Sequence, residues 1–258
     1  MFFDTSGRSD ALGSRAKIGV IAPTTNTIVQ PEFEALRPRG VTNHHARIEP
    51  SSDGIKPGDV ETYAKRLARG SGPILKGIDD LVPCVPDIIV LAHSINSFRG
   101  GLDGARNLKA ELEAHAGGIP VILPSLAFLR GLEALGARKR ISALTPFWPP
   151  GDVQVREFFE SAGYEICEIK GLACPGPLSI ASVREDDIAS LLDALAAAKP
   201  DAIIQPGTNM ASSNAATAAS QRLGIPVLSC NTTTYWHALR TLDINDQIEG
   251  FGALMAKY

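Results

Sequence analysis

Asp87-Ile-Ile-Val-Leu-Ala-His93-Ser94 and Asp201-Ala-Ile-Ile-Gln-Pro-Gly207-Thr208 are two copies of one unit. Each opens on an aspartate and runs through a short apolar stretch. Six residues on, one copy reaches His93 and the other Gly207. A helical pattern follows each. Then come Gly118-Ile-Pro-Val-Ile-Leu-Pro-Ser125 in the first copy and Gly224-Ile-Pro-Val-Leu-Ser-Cys-Asn231 in the second. The repeat extends upstream, where Ile18-Gly-Val-Ile-Ala-Pro23 matches Ile141-Ser-Ala-Leu-Thr-Pro146 and Gly40-Val41 matches Gly163-Tyr164. Apolar β-branched runs alternating with helical patterns predict βα units and mainly parallel sheets covered by helices on both faces.

The expected fold is therefore α/β, with two pseudo-twofold-related halves and a cleft between them. A loose N-terminal arm spans 1–16, the first half 17–124 and the second 125–258. The last helix of each half is expected to cross onto the other. Strands are expected at Lys17–Ala22, Val41–Ile48, Asp87–Ala92, Pro120–Leu123, Arg140–Leu144, Tyr164–Lys170, Ala202–Gln205 and Pro226–Ser229. Helices are expected at Val60–Asp80, Ala105–His115, Leu126–Leu135, Val153–Ala162, Ile188–Ala198, Ala211–Arg222 and Thr234–Thr241.

The chain has 258 residues, 44% hydrophobic and 21% charged, with a formal net charge of -3. That composition is ordinary for a globular protein and gives no electrostatic reason to expect nucleic acid or a membrane surface as partner. No apolar run approaches the roughly 20 residues that span a bilayer. Cys84, Cys167, Cys174 and Cys230 form no C-x-x-C pair, so reduced thiols in a cytoplasmic protein are expected. His44 and His45 are neighbours on a strand and point to opposite faces, so no metal site is expected. No G-x-S-x-G elbow, Walker A motif or G-x-G-x-x-G after the first strand is present, so neither a nucleotide nor an organic cofactor is expected.

In open α/β sheets ligands sit beyond the carboxyl ends of the strands. Four strand-end loops should therefore line the cleft: Pro23-Thr24-Thr25-Asn26-Thr27, His93-Ser94-Ile95-Asn96-Ser97, Thr145-Pro146-Phe147-Trp148 and Gly207-Thr208-Asn209-Met210. Hydroxyls, amides and free backbone N–H groups near helix N-termini suit a carboxylate or oxyanion, although the same residues also serve as helix caps. His93, ending an apolar strand, is the candidate proton carrier, expected to titrate near neutral pH. Cys230 reads as a buried, inert thiol.

The loop Ile18-Gly-Val-Ile-Ala-Pro-Thr-Thr-Asn-Thr27, the strand end Leu91-Ala-His-Ser-Ile-Asn-Ser-Phe98 and the closing segment Pro226-Val-Leu-Ser-Cys-Asn-Thr-Thr-Thr-Tyr-Trp-His-Ala-Leu-Arg240 resemble the aspartate/glutamate racemase superfamily. The likeness is to its arylmalonate decarboxylase and maleate cis-trans isomerase branch, and runs from Ile18 to about Gly252. It implies a cofactor-free enzyme and a homo-oligomer, with two facing cysteines in the family pattern. Here His93 falls on the first cysteine position and Gly207 on the second. Ser94 matches a family hydroxyl, and Ile95 stands where the decarboxylases have a serine. Phe147 replaces a carboxylate-binding tyrosine. Asn26 matches a substrate-binding asparagine of the isomerases, with Gln154 standing in for a second.

The resulting expectation is a cofactor-independent lyase or isomerase acting on a small carboxylate or carbonyl compound through an enolate-like intermediate. His93, Ser94 and Thr208 are its expected catalytic residues. Thr24, Thr25, Asn26, Ile95, Asn96, Phe147, Gln154, Gly207 and Asn209 are its expected substrate-binding residues. Gly207 is expected to leave room opposite His93. A hydrolase in which His93 activates a water held there, and a homologue that only binds a small acid, are the alternatives.

Overall fold

The structure is a computed structural model that describes residues 10–49, 56, 58–68, 70–137 and 139–258. Its elements begin β1 (Ala16–Pro23), α1 (Val29–Leu36), β2 (Val41–Ile48), α2 (Val60–Leu67), α3 (Gly72–Leu81), β3 (Ile88–Leu91), α4 (Gly101–His115), β4 (Val121–Ile122) and α5 (Pro124–Ala134). They continue with β5 (Arg140–Thr145), α6 (Pro149–Ser161), β6 (Glu165–Gly171), α7 (Pro177–Ala181), α8 (Glu185–Ala196), β7 (Ala202–Gln205), α9 (Ser213–Leu223), β8 (Val227–Ser229), α10 (Cys230–Thr241) and α11 (Gly252–Lys257).

Two parallel four-stranded sheets have equivalent strand orders, β2-β1-β3-β4 and β6-β5-β7-β8. The repeated aspartates account for part of that equivalence. Asp87 accepts the Lys17 N–H at 2.8 Å and Asp201 accepts the Arg140 N–H at 3.0 Å. In return the Asp87 and Asp201 N–H groups donate to the Lys17 and Arg140 carbonyls. Each aspartate thus pins the start of its strand to the neighbouring strand.

The strands read as unbroken apolar runs because successive side chains enter different cores. Ile18, Val20, Ile88 and Val90 of the first sheet share one buried cluster with Ile141, Ala143, Ala202 and Ile204 of the second. The alternate residues Ile21, Ile89 and Leu91 face a second cluster, and Leu144 and Ile203 a third. The principal core is therefore common to both sheets.

The expected helix crossing is present. From the end of β8, α10 packs against α1, β3 and β4 of the first sheet. From the end of β4, α5 packs against α10 and reaches β8. Gly131 on α5 makes that approach possible, since a Cβ there would lie 2.9 Å from the Leu228 side chain and 3.0 Å from Thr233.

Several expectations need correction. The single helix expected at Val60–Asp80 is two helices, separated at Gly70-Ser71, with Arg69 outside the described residues. Pro73 lacks an N–H and its ring clashes with the preceding turn, so a helix running through it would break. Residues 1–9 of the expected arm also lie outside the described residues, and the arm ends sooner than expected. Arg15 pairs with Asp246, and its N–H donates to the Gly40 carbonyl at 2.8 Å. Helices α4, α6 and α10 each begin about one turn earlier than expected, so Cys230 opens a helix instead of sitting in a loop. Helices α1, α7 and α11 have no counterpart among the expected helix ranges. Among the described residues, no helix is long and apolar enough to cross a membrane.

Candidate active site

The carboxyl ends of β1, β3, β5 and β7 open on one pocket between the halves. It encloses about 730 Å³, open solvent at its mouth included. His93, Ser94, Thr208, Thr25, Asn26, Ile95, Phe147, Gly207 and Asn209 all line it. Three expected residues lie elsewhere. Thr24 is exposed with its N–H on the Ile48 carbonyl, Asn96 faces a separate surface groove with Arg99 and Glu111, and Gln154 sits on α6 outside the lining.

His93 closes β3 and begins a 3-10 turn, Ser94–Phe98. That turn is braced from α5. Ser97 Oγ donates to the Ser94 carbonyl at 2.7 Å, and Ser125 Oγ donates to the Ser97 carbonyl at 2.6 Å. His93 is 8% exposed, and burial pushes its pKa down to about 4. The expectation of a histidine titrating near neutral pH is therefore corrected. At pH 7 the resting imidazole is neutral and a proton acceptor, because burial penalises its charged form.

Asn26 and Thr208 join the halves across the floor. Asn26 Nδ2 donates to Thr208 Oγ1 at 3.1 Å, and Thr208 Oγ1 donates to the Ala92 carbonyl at 3.0 Å. The Thr208 proton is thus committed to the backbone, and the hydroxyl is no resting donor for a ligand. Asn209 is committed too. Its Oδ1 accepts the Thr27 N–H at 2.9 Å, and its Nδ2 donates to the Pro177 carbonyl at 2.8 Å and the Thr25 carbonyl at 3.4 Å. Beneath them Asn231 Nδ2 donates to the Thr208 carbonyl at 3.0 Å and to Glu32 Oε2 at 2.6 Å. Burial pushes the Glu32 carboxyl above its ordinary pKa.

With these side chains engaged, the donors left to a ligand are chiefly backbone. The Thr25, Thr208 and Asn209 N–H groups are taken by no acceptor among the described residues. Asn26 keeps its second amide hydrogen. Its Oδ1 already accepts the Ile28 and Val29 N–H groups at 3.0 and 2.9 Å, capping α1 and fixing the amide's orientation. Arg47 approaches this loop from behind, donating to the Asn26 carbonyl at 2.7 Å. Fixed neutral donors of this kind stabilise an oxyanion without needing a cation.

Gly207 lines the same pocket as His93, but no side chain fits at its own position. A Cβ there would fall 2.8 Å from Gln205 Nε2 and 2.8 Å from the ring carbons of Pro146. Gln205 is itself locked, with Nε2 on the Gly207 carbonyl at 3.1 Å. Cys230 lies beneath this wall with the Gly207 backbone, Thr234 and Ser94 as polar neighbours, and burial pushes its pKa up to about 12. Burial therefore keeps this thiol protonated at neutral pH.

Comparisons with known proteins identify the family and the fold. The family model described as arylmalonate decarboxylase matches residues 82–255. The chain belongs to that family. A maleate isomerase of Geobacillus stearothermophilus is 29% identical over 93% of this chain and 97% of its own length. The arylmalonate decarboxylase of Bordetella bronchiseptica is 27% identical over 84% of this chain and 90% of its own. Among solved structures, a mutant Nocardia farcinica maleate cis-trans isomerase with a covalently bound succinylcysteine intermediate superposes with a TM-score of 0.83. It is 21% identical and covers 94% of this chain and 99% of that one.

In this family member the sequence points to only part of the opposite wall of the pocket. Phe147 and Trp148 are on it as expected. Tyr63 on α2 and the segment Cys174-Pro-Gly-Pro177 with Ile180 join them unannounced. The Tyr63 and Trp148 rings meet at a tilt with centroids 5.3 Å apart, and Trp148 Nε1 donates to the Cys174 carbonyl at 2.7 Å. Burial raises the pKa of the Cys174 thiol, which keeps it protonated. The Pro-Gly-Pro run is the available signal. It marks a rigid turn directly after a strand at the ligand-binding edge.

Proposed function

We propose that this member of the family is a cofactor-independent isomerase or lyase that moves one proton to or from a small carboxylate through an enolate-like intermediate. The observation that carries the reading is the asymmetry of the pocket. One strand end presents His93, and the other presents Gly207, where Pro146 and Gln205 leave no space for a side chain. Of the relatives' printed names, arylmalonate decarboxylase fits this chemistry most directly, because loss of CO₂ leaves an enolate that takes up one proton.

A carboxylate entering the pocket meets the Thr25, Thr208 and Asn209 N–H groups and the free Asn26 amide hydrogen. An anion beside the buried imidazole raises its proton affinity, because an opposite charge favours the protonated form. Binding thus brings His93 into a range where it can give a proton as well as take one. As charge develops on the carboxylate or carbonyl oxygen, the fixed N–H groups hold it. Such donors lower a barrier by about 3–4 kcal/mol each when fully engaged. His93 then delivers or removes a proton on one face, contributing roughly 10²- to 10⁴-fold. The Gly207 face offers no second proton carrier, which suits decarboxylation or one-base isomerisation over racemisation. The thiols near the pocket, Cys174 and Cys230, are held protonated, so covalent cysteine attack has no support. The proposed setting is the cytoplasm, as a homo-oligomer.

Isotope tracing tests this reading. Maleate, phenylmalonate and simple esters or amides are incubated with the protein in D₂O and in ¹⁸O-labelled water. Deuterium on carbon α to a carboxylate is the expected result. Label from ¹⁸O-water in a product carboxylate, without deuterium on carbon, would assign a hydrolase instead. Thermal stabilisation by an acid that never turns over would leave only a binding protein.

A further inference from the structure

We infer that the substrate carries a single carboxylate end and an apolar arm that leaves through the pocket mouth, so that it is a monoanion with an alkyl or similar tail. The inference rests on the carboxylate end sitting at the N–H groups just described.

Two sets of observations support it. The pocket lining is of two kinds, polar and apolar. The strand-end loops supply Asn26, Ser94 and the free N–H groups, while Tyr63, Ile95, Phe147, Trp148, Ile180 and four prolines supply apolar lining. Among the described lining residues there is no lysine or arginine, and the one histidine rests neutral. Behind the aromatic wall lies an acid. Asp152 accepts the Thr145 hydroxyl. The Tyr63 phenol has its pKa raised first by burial and then by the charge of this nearby carboxylate. Burial puts Asp152 at about 6, so it is largely ionised at neutral pH. A second carboxylate lodged against that wall would lose water, gain no cation and face an anion, each of which opposes binding.

The second observation lies outside the pocket. Val60, Val153 and Leu178 are exposed large apolar side chains, at 41, 52 and 65%. They sit on α2, α6 and α7, the elements that carry Tyr63, follow Trp148 and carry Ile180 respectively. The elements that supply apolar lining therefore also expose apolar side chains to solvent. An arm leaving between them would remain in contact with apolar surface beyond the pocket, which a four-carbon diacid cannot do.

Binding measures this without turnover. Isothermal titration uses straight-chain monocarboxylates from butanoate to decanoate, with maleate and succinate alongside. Affinity is expected to tighten by about fourfold for each methylene that is buried, and hexanoate is expected to bind more tightly than maleate. The variant V153E/L178E, altered at exposed positions and checked for folding by circular dichroism, is expected to lose the gain from the longer chains. A flat series, or maleate binding more tightly than hexanoate, overturns the inference. The two proposals fail separately. A chain-length gain without isotope incorporation removes the reaction and keeps the arm, whereas incorporation from maleate with a flat series does the reverse.

Discussion

His93 and Gly207 occupy matching positions in the two copies, at the ends of β3 and β7, yet their surroundings differ. Both line the pocket, but the place a Gly207 side chain would take is held by Pro146 and Gln205. The vacancy suggested by a glycine in the sequence does not exist, because neighbouring side chains occupy it. A G207C variant should consequently not supply a second thiol base. The added atoms must displace Pro146 or Gln205, with an overpacking cost of about 1–3 kcal/mol. Chemical denaturation is expected to show that loss, together with no new low-pKa thiol in alkylation assays. An unchanged midpoint with a fast-reacting thiol would mean that the wall yields.

At the scale of elements, the strands were legible because both faces of each sheet are covered and the runs are unbroken. The helices were legible only in part, since one expected range is two helices and α1, α7 and α11 match no expected range. The break between α2 and α3 lay in plain view at Gly70-Ser71-Gly72-Pro73, but an apolar period that continued on both sides masked it. The polar loops were legible as a donor-rich region. Which donors remain free was not, because the acceptors are far away in sequence: Ala92 for Thr208, and Thr25 and Pro177 for Asn209. Asn209 consequently acts as a latch between the β1 loop, the β7 loop and the start of α7. The N209A variant leaves the Pro177 and Thr25 carbonyls without their donor. The expected cost is about 1–3 kcal/mol, with faster hydrogen exchange confined to residues 172–181 and the β1 loop. Exchange unchanged in both segments would refute the latch.

Over the whole molecule, the two halves share their main core and exchange their last helices, so local titrations are felt as global stability. Burial pushes His45, His93 and His237 each down to about 4. The unfolded chain protonates these groups near 6.5, whereas the folded chain holds them neutral. Between about pH 6.5 and 4 the unfolded state therefore binds more protons, and stability is lost as pH falls. At about 1.4 kcal/mol for each tenfold change in proton affinity, His93 alone accounts for roughly 3 kcal/mol. Asp152, raised to about 6, works in the opposite direction over the lower part of this window, as does Glu32. Calorimetry is expected to show Tm falling steadily from pH 7 to pH 4.5. A flat profile would mean that the buried histidines find proton acceptors in the folded state.

The central claim is that one buried histidine carries the proton. Its most direct test is deuterium incorporation from D₂O into the turned-over carboxylate, followed against pH for the wild type and for H93A. The account predicts one deuterium per turnover in the wild type and a kcat/KM profile whose acid limb lies near pH 4, the value for the free enzyme. The acid limb of kcat should lie higher, because bound anion raises the imidazole's proton affinity. H93A should bind the ligand and incorporate deuterium at least ~10²-fold more slowly. Incorporation by H93A at the wild-type rate would contradict the account.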